Sequence, residues 1–341
     1  MAHVRLLRGG RATCYGLLAM RRVVCRSFGP LDSLRVERLA DPVPQPGDVV
    51  VAVRAAGVNY VDALLVQGRY QIKPPLPFVP GGEVAGEVVG LGAGVQTPRL
   101  GMRVLVSCGL GGFTDRLAVP ASLARPLPAA LSFAQGAALL QSYATALFAL
   151  TRRSAVPAGA RVLVLGAGGG VGLASVDVAR HLGARVVAAA SSAEKLAAAT
   201  RLGAEAAVDY EREDLKARVR ELAGGGVDFV VDPVGGAHAE AALRALRPFG
   251  QYLIVGFAAG QIPALKANLI LLQNRSAVGV DWGAWSFQHP EDNAALVDEV
   301  LQLAGSGALH PPEPTAFPLE RAAEALAALT ERRAVGKLVL T

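Results

Sequence analysis

Residues 161–172 read Arg-Val-Leu-Val-Leu-Gly-Ala-Gly-Gly-Gly-Val-Gly, and this stretch decides the fold. An apolar β-type run, Val162 to Leu165, enters a glycine-rich turn, and Leu173 to Leu182 has helical composition. A strand–turn–helix of this kind points backbone N–H groups and the positive end of a helix at a dinucleotide pyrophosphate. The small positions of the motif fall on Ala167, Gly169 and Gly172, with Gly170 and Val171 between the last two. The first is expected to make the tight turn, the second to let phosphate approach the backbone, and the third to let helix pack on strand. G-x-G-x-x-G alone is a weak signal, and alanine holds its first place here. The strand before it and the helix after it supply the specificity.

Downstream of this turn, strands and helices alternate. Arg161–Leu165, Arg185–Ala190, Ala206–Asp209, Asp228–Val231 and Gln251–Val255 read as strands, with helices over 172–182, 193–202, 212–223 and 237–247 between them. That spacing predicts an α/β fold with a doubly wound parallel sheet, a Rossmann domain. Upstream, from Met20 to about Ala130, short β runs are broken by Gly and Pro: Arg21–Arg26, Val49–Ala55, Val84–Gly90, Arg103–Ser107 and Asp115–Val119. These predict a β-rich, partly closed barrel. Phe133 to Leu150 has helical composition. From about Glu313 a strand, a helix over Glu320–Glu331 and a strand over Lys337–Leu340 rejoin the β-rich part. The expected organisation is an N-terminal extension over 1–19, a substrate domain over 20–140 and 305–341, and a dinucleotide domain over 141–304 inserted into it.

Charge and composition exclude several classes. The formal net charge of +6 is carried wholly by Arg5, Arg8, Arg11, Arg21, Arg22 and Arg26, which all precede the first acid, Asp32. The remainder is neutral, so no nucleic-acid surface is expected. The most apolar run, Gly136 to Leu150, is interrupted by Gln141 and Ser142, so no membrane span is expected either. The Arg-rich start reads as a mitochondrial transit peptide or as an extension ahead of Met20; a cytoplasmic location is expected, the mitochondrial matrix being the alternative. Cys14, Cys25 and Cys108 form neither a disulfide framework nor a zinc cluster, and no His stands at metal-ligand spacing. There is no phosphate loop of the G-x-x-x-x-G-K-[ST] type and no G-x-S-x-G elbow.

The cofactor is legible at the end of the second strand. Arg185–Ala190 runs into Ser191-Ser192, with Lys195 a few residues on, and no carboxylate stands at the tip. A carboxylate there holds a ribose 2′-hydroxyl and repels a 2′-phosphate, whereas hydroxyls and a lysine bind phosphate. NADPH is therefore expected over NADH. The plainer reading is that Ser191 caps the next helix and Lys195 is a solvated charge.

Further segments follow in order: Ala56-Gly57-Val58-Asn59-Tyr60-Val61-Asp62, Gln67-Gly68-Arg69-Tyr70, Leu76-Pro77-Phe78-Val79-Pro80-Gly81-Gly82-Glu83, Asp209-Tyr210, Val255-Gly256-Phe257 and Gly336-Lys337. With the glycine turn, they make the chain, from Met20 to Leu340, resemble the medium-chain dehydrogenase/reductase superfamily in its zinc-free, zeta-crystallin-like quinone oxidoreductase branch. Ala267-Asn268-Leu269 through Asp281-Trp282-Gly283 is similar to the quinone oxidoreductase-like protein 2 subgroup and its bacterial relatives. The resemblance implies a GroES-like substrate domain and a homodimer. Zinc alcohol dehydrogenases carry Cys and His where this chain has Asn59 and Gly82, and an amide and a hydrogen do not replace those ligands.

Site roles follow from the same resemblance. It implies Asn59 beside nicotinamide and substrate, Tyr70 lining the substrate cleft, and Thr145 against the nicotinamide carboxamide. Ser191, Ser192, Lys195 and Tyr210 would hold the 2′-phosphate end, while Val255, Gly256, Phe257 and Lys337 close over the cofactor. Leu64 stands where some quinone oxidoreductases have tyrosine, which removes a polar contact from the substrate pocket. Trp282, with Trp285, reads as an aromatic wall for a flat substrate or as core. Asn59 also reads as a plain turn amide and Tyr70 as packing.

The expected activity is hydride transfer from NADPH to a quinone or similar electron-poor small molecule, without metal. An enoyl-thioester or α,β-unsaturated carbonyl reductase is the alternative. That reaction places a proton on carbon, and Tyr70 is the acid the sequence offers. An NADPH-binding structural or sensing protein with little turnover stands as a reading of another class.

Overall fold

The structure, a computed structural model, describes residues 19–341, so the expected extension over 1–19 lies, apart from Ala19, outside the described residues. The β-rich part opens with β1 (Ala19–Val24), β2 (Arg35–Ala40) and β3 (Asp48–Val58), after which α1 (Tyr60–Val66) leaves the end of β3. β4 (Glu83–Leu91), β5 (Arg103–Ser107), β6 (Arg116–Pro120) and β7 (Ala124–Pro126) follow. Two helices, α2 (Phe133–Ala137) and α3 (Leu140–Leu147), lead into the second part. There β8 (Arg161–Leu165), α4 (Gly170–His181), β9 (Arg185–Ala190), α5 (Ala193–Arg201), β10 (Ala206–Asp209), α6 (Leu215–Leu222), β11 (Val227–Asp232), α7 (His238–Ala245) and β12 (Leu246–Ile254) alternate. The chain ends through α8 (Ala267–Leu271), β13 (Ser276–Gly279), α9 (Trp282–Gln288), α10 (Pro290–Gly305), β14 (Thr315–Phe317), α11 (Ala322–Thr330) and β15 (Leu338–Leu340).

β3 organises the first sheet. One edge pairs with β4, and the other pairs with β6 over Asp48–Ala52 and then with β15 over Ala56–Val58. The change of partner falls at Arg54, where the register on β4 slips between Val53 and Ala55. A bulge of this kind bends a strand and increases its twist. The sheet runs β14-β15-β3-β4-β5-β7 with β6 on β3, around a core that includes Val49, Val51, Val84, Val104 and Phe113. Among the described residues the path ends at β14 and β7 and does not close.

The second sheet is parallel, in the order β10-β9-β8-β11-β12-β13. This is the doubly wound order, which reverses direction between β8 and β11 and opens a crevice at the carboxyl ends of those strands. Val162–Leu165 of β8 and Val230 and Val231 of β11 are fully buried, because helices cover both faces of a parallel sheet. That is why its strands read as continuous apolar runs.

The sequence pattern predicts no element between Val255 and Glu313, whereas the structure places α8, β13, α9 and α10 there. β13 has four residues and only one of them is even half-buried, so it leaves no apolar signature. The start of α10 does carry a local signal: Pro290 stands in its first turn with Glu291 and Asp292, the residues a helix N-terminus favours. The single helix expected over Phe133–Leu150 is two helices followed by a π turn over Phe148–Arg152. Ser132 caps the first of them, its Oγ accepting from Gln135 N–H at 3.0 Å while Gln135 Oε1 accepts from Ser132 N–H at 2.9 Å. Among the described residues no helix is long and apolar enough to cross a membrane.

Candidate active site

Two loops wall the crevice where the second sheet reverses: the glycine turn after β8 and the loop 233–236 after β11. They touch, since a Cβ added to Gly166 would lie 2.5 Å from Val234 Cγ2. The left-handed residue of the turn is Gly166, with φ +56°, and not Ala167 as the motif register predicts. An L side chain is strained in that conformation, so the turn falls one residue earlier, on a glycine, and Ala167 is fully buried behind it. Gly172 has the packing role expected of it: a Cβ there would stand 2.1 Å from Gly166 O.

Gly169 differs from both. Its φ is −88°, which any residue adopts, and an added Cβ would meet nothing nearer than Gly166 O at 3.5 Å. The fold does not require glycine at 169, and the position leaves clearance in front of the start of α4. Gly170 opens α4, and beside it lies Ser142 Oγ, buried and without a hydrogen-bond partner. An open glycine at a helix N-terminus and an unpartnered buried hydroxyl together fit the phosphates of a dinucleotide.

The end of β9 forms a basic corner. Lys195 Nζ donates to Ser191 Oγ at 3.3 Å and to Arg332 O at 2.6 Å, and the Tyr210 hydroxyl faces Ser191. The helix cap is Ser192, not Ser191: its Oγ accepts from Lys195 N–H at 3.4 Å, which leaves Ser191 free to face the corner. Burial, and then the Arg332 guanidinium, hold the Lys195 ammonium below the usual lysine value. Neither Lys195 nor Arg332 has an acidic partner at ion-pair distance among the described residues. Two cations brought together without a counter-ion fit a 2′-phosphate. Arg332 is a residue that sequence reasoning missed, because 137 positions separate it from Lys195 in the chain.

Asn59 sits in a buried polar cluster of the β-rich part. Its Nδ2 donates to Glu83 Oε1 at 3.1 Å, and Lys337 Nζ donates to its Oδ1 and, at 2.8 Å, to Glu83 Oε1. Asp62 Oδ2 accepts from Asn59 N–H at 2.8 Å, closing the start of α1, and Asp62 Oδ1 accepts from Gly81 N–H at 3.1 Å. Glu83 Oε2 accepts from Gln141 N–H at 3.0 Å, at the start of α3. Gly57 makes the space, since a Cβ there would lie 2.7 Å from Glu83 Cγ and 2.0 Å from Ala137 O. Burial pushes the Asp62 carboxyl up to about 7, against the pull of its two backbone donors and Lys337. Burial also pushes the Cys108 thiol up to about 12, so it is no nucleophile at neutral pH. Asp62 and Glu83 stand in the sequence motifs without an expected role; the N-x-x-D spacing at a helix start is the signal for Asp62.

The other expected site residues are more dispersed. Thr145 is buried on α3 and its Oγ1 donates to Gln141 O at 2.7 Å, one turn from the Glu83 contact. Phe257 is exposed and stands over Gly235, and Val255 and Gly256 both donate to Asp232 O. Tyr70 is half-buried with Asp281 nearby, while Leu64 is half-buried on α1. Trp282 is packed in the core, its Nε1 donating to Asn293 Oδ1 at 2.9 Å, and Trp285 packs on Phe148 with ring centroids 4.7 Å apart. Among the described residues no three His, Cys, Asp or Glu side chains are grouped to hold a metal ion.

Residues 45–129 match the alcohol dehydrogenase GroES-like domain family, and residues 170–302 match the zinc-binding dehydrogenase family. The chain is 39% identical to a quinone oxidoreductase-like protein 2 homolog of Nematostella vectensis, over 95% of this chain and 90% of that one. It is likewise 39% identical to quinone oxidoreductase-like protein 2 of Bos taurus, over 90% of this chain and 89% of that one. Among solved structures it is similar to the Escherichia coli quinone oxidoreductase complexed with NADPH, with a TM-score of 0.84 and 28% identity over 94% of this chain and 99% of that one.

Proposed function

The chain belongs to the medium-chain dehydrogenase/reductase superfamily, in its quinone oxidoreductase-like group, and from that premise we propose that it transfers hydride from NADPH to a quinone or similar electron-poor acceptor without zinc. The observation that carries the choice of cofactor is the Lys195–Arg332 corner beside Ser191, with no carboxylate at the end of β9. The absence of zinc is supported by donor chemistry: position 59 holds an amide engaged by Lys337 and Glu83, and position 82 has no side chain.

When bound, NADPH supplies the hydride, and the chain supplies binding and orientation. The Gly169–Gly172 turn would hold the pyrophosphate, Ser191, Lys195, Tyr210 and Arg332 the 2′-phosphate, and Thr145 with Asn59 the nicotinamide end. Phe257 and the Val255–Gly256 backbone would cover it. Residues 20–140 with 305–341 form the acceptor side in this reading and 141–304 the nucleotide side. Quinone reduction has no obligatory protein acid, because a hydroquinone oxygen takes its proton from water. The expected homodimer fits the outer edge of β13, unpaired among the described residues, and the exposed Leu271 and Leu272 beside it.

Oxidation of NADPH measured against a quinone panel and a short enoyl-CoA tests this. Turnover with quinones is expected; turnover with the enoyl-CoA alone would replace the quinone reductase with an enoyl reductase. Burial raises the Tyr70 hydroxyl above its usual value, so it stays protonated across the neutral range. Tyr70→Phe is therefore expected to change the quinone rate less than about threefold and to leave its pH profile across the neutral range unaltered. A larger loss would assign Tyr70 as a proton donor.

A further inference from the structure

Lys337 lies against both halves of the site. Its stem crosses the start of α4, where a Cβ on Gly170 would stand 2.6 Å from Lys337 Cδ, and its ammonium rests on Asn59 and Glu83. The side chains of Lys337 and Glu83 are 12% and 4% exposed, so this is a buried ion pair. Beside it Asp62 is fully buried, with no cation of its own in hydrogen-bond contact. The titratable groups facing Asp62 are Glu83 from β4, Lys337 ahead of β15 and the Cys108 thiol after β5. Two carboxylates thus share one ammonium.

We propose that a dinucleotide seated on the glycine turn draws the Lys337 ammonium away from Glu83, and that the Asp62–Glu83 pair responds by taking up one proton from solvent. This rests on reading that turn as an NADPH site. The pyrophosphate and Glu83 compete for the same cation, whose stem already lies beside Gly170. A buried carboxylate that loses its only counter-charge is strongly destabilised, and protonation is the available relief. Binding therefore adds a proton to the chain with no change of redox state, and leaves it in the cleft next to Asn59.

Calorimetric titration of the purified protein with NADPH at pH 8, about one unit above the Asp62 carboxyl, in buffers of different ionisation enthalpy gives the number of protons bound. About one proton is expected to be taken up per chain, since the carboxylate that receives it is ionised beforehand at this pH. NADH, which lacks the 2′-phosphate, is expected to give the same uptake, which separates this event from titration at Lys195 and Arg332. Glu83→Gln and Lys337→Met are each expected to abolish it, the first by removing the carboxylate that holds the ammonium and repels Asp62, and the second because Asp62 has then lost its cation and is protonated before binding. NADPH binding to the natural protein with no linked proton overturns the proposal, as does undiminished uptake in Lys337→Met, and both readouts stand if Glu83→Gln fails to fold. Failure of NADPH to bind at all overturns the cofactor reading and this proposal with it.

Discussion

Replacing Lys195 and Arg332 together by alanine is expected to weaken NADPH binding about 100-fold or more while changing NADH binding less than about threefold. Lys195 Nζ donates to the Arg332 carbonyl at the end of β9, the Arg332 guanidinium donates to Ala259 O, and burial followed by repulsion from the Arg332 charge depresses the Lys195 ammonium. A 2′-phosphate would relieve that repulsion, and hydrogen bonds between charged groups contribute about 1.5–3 kcal/mol each. NADH places no phosphate there and loses nothing. Titration by nucleotide fluorescence measures both affinities; an equal loss for the two nucleotides would show that the corner acts on the fold and not on the phosphate.

The second large effect comes from adding one methyl group at two neighbouring glycines. Gly172→Ala puts a Cβ 2.1 Å from a backbone oxygen that the strand holds in place, so helix and strand must part. A loss of about 3 kcal/mol is expected, with a fall in Tm of about 4 °C. Gly169→Ala puts the same methyl where the nearest atom lies 3.5 Å away, an ordinary contact. Its stability is expected to stay within about 1 kcal/mol, since glycine at a helix N-cap is only modestly better than alanine. NADPH affinity is nevertheless expected to fall by at least about tenfold, because the methyl takes the clearance left for phosphate. Thermal melts with nucleotide titrations of both variants decide it, and an unaltered affinity in Gly169→Ala would remove the phosphate from that turn.

What the chain discloses in advance follows from the range of the interactions. Arg161–Leu165, Arg185–Ala190 and Ala206–Asp209 are legible to the residue because the first two are largely buried apolar runs and all three are bounded by turn residues. β13 is not, because an exposed four-residue edge strand is defined by its neighbour β12 and not by its own side chains. The glycine turn is legible as a motif, yet the position of its left-handed residue is not, since Gly166 and Ala167 differ by one step of register. In the site, residues adjacent in sequence such as Ser191, Ser192 and Lys195 are readable together. Arg332, and the pairing of Lys337 with Glu83 across 254 positions, exist only once the chain returns to the first sheet.

The crevice at the reversal of the parallel sheet is proposed to carry NADPH-dependent reduction without a bound metal. Quinone-dependent NADPH oxidation by purified protein, assayed before and after exhaustive chelation and again after added Zn²⁺, tests this most directly. One unchanged rate throughout is expected, with zinc far below one per chain. A rate lost on chelation and restored by zinc would contradict it, and would place a metal ion at the centre of the chemistry.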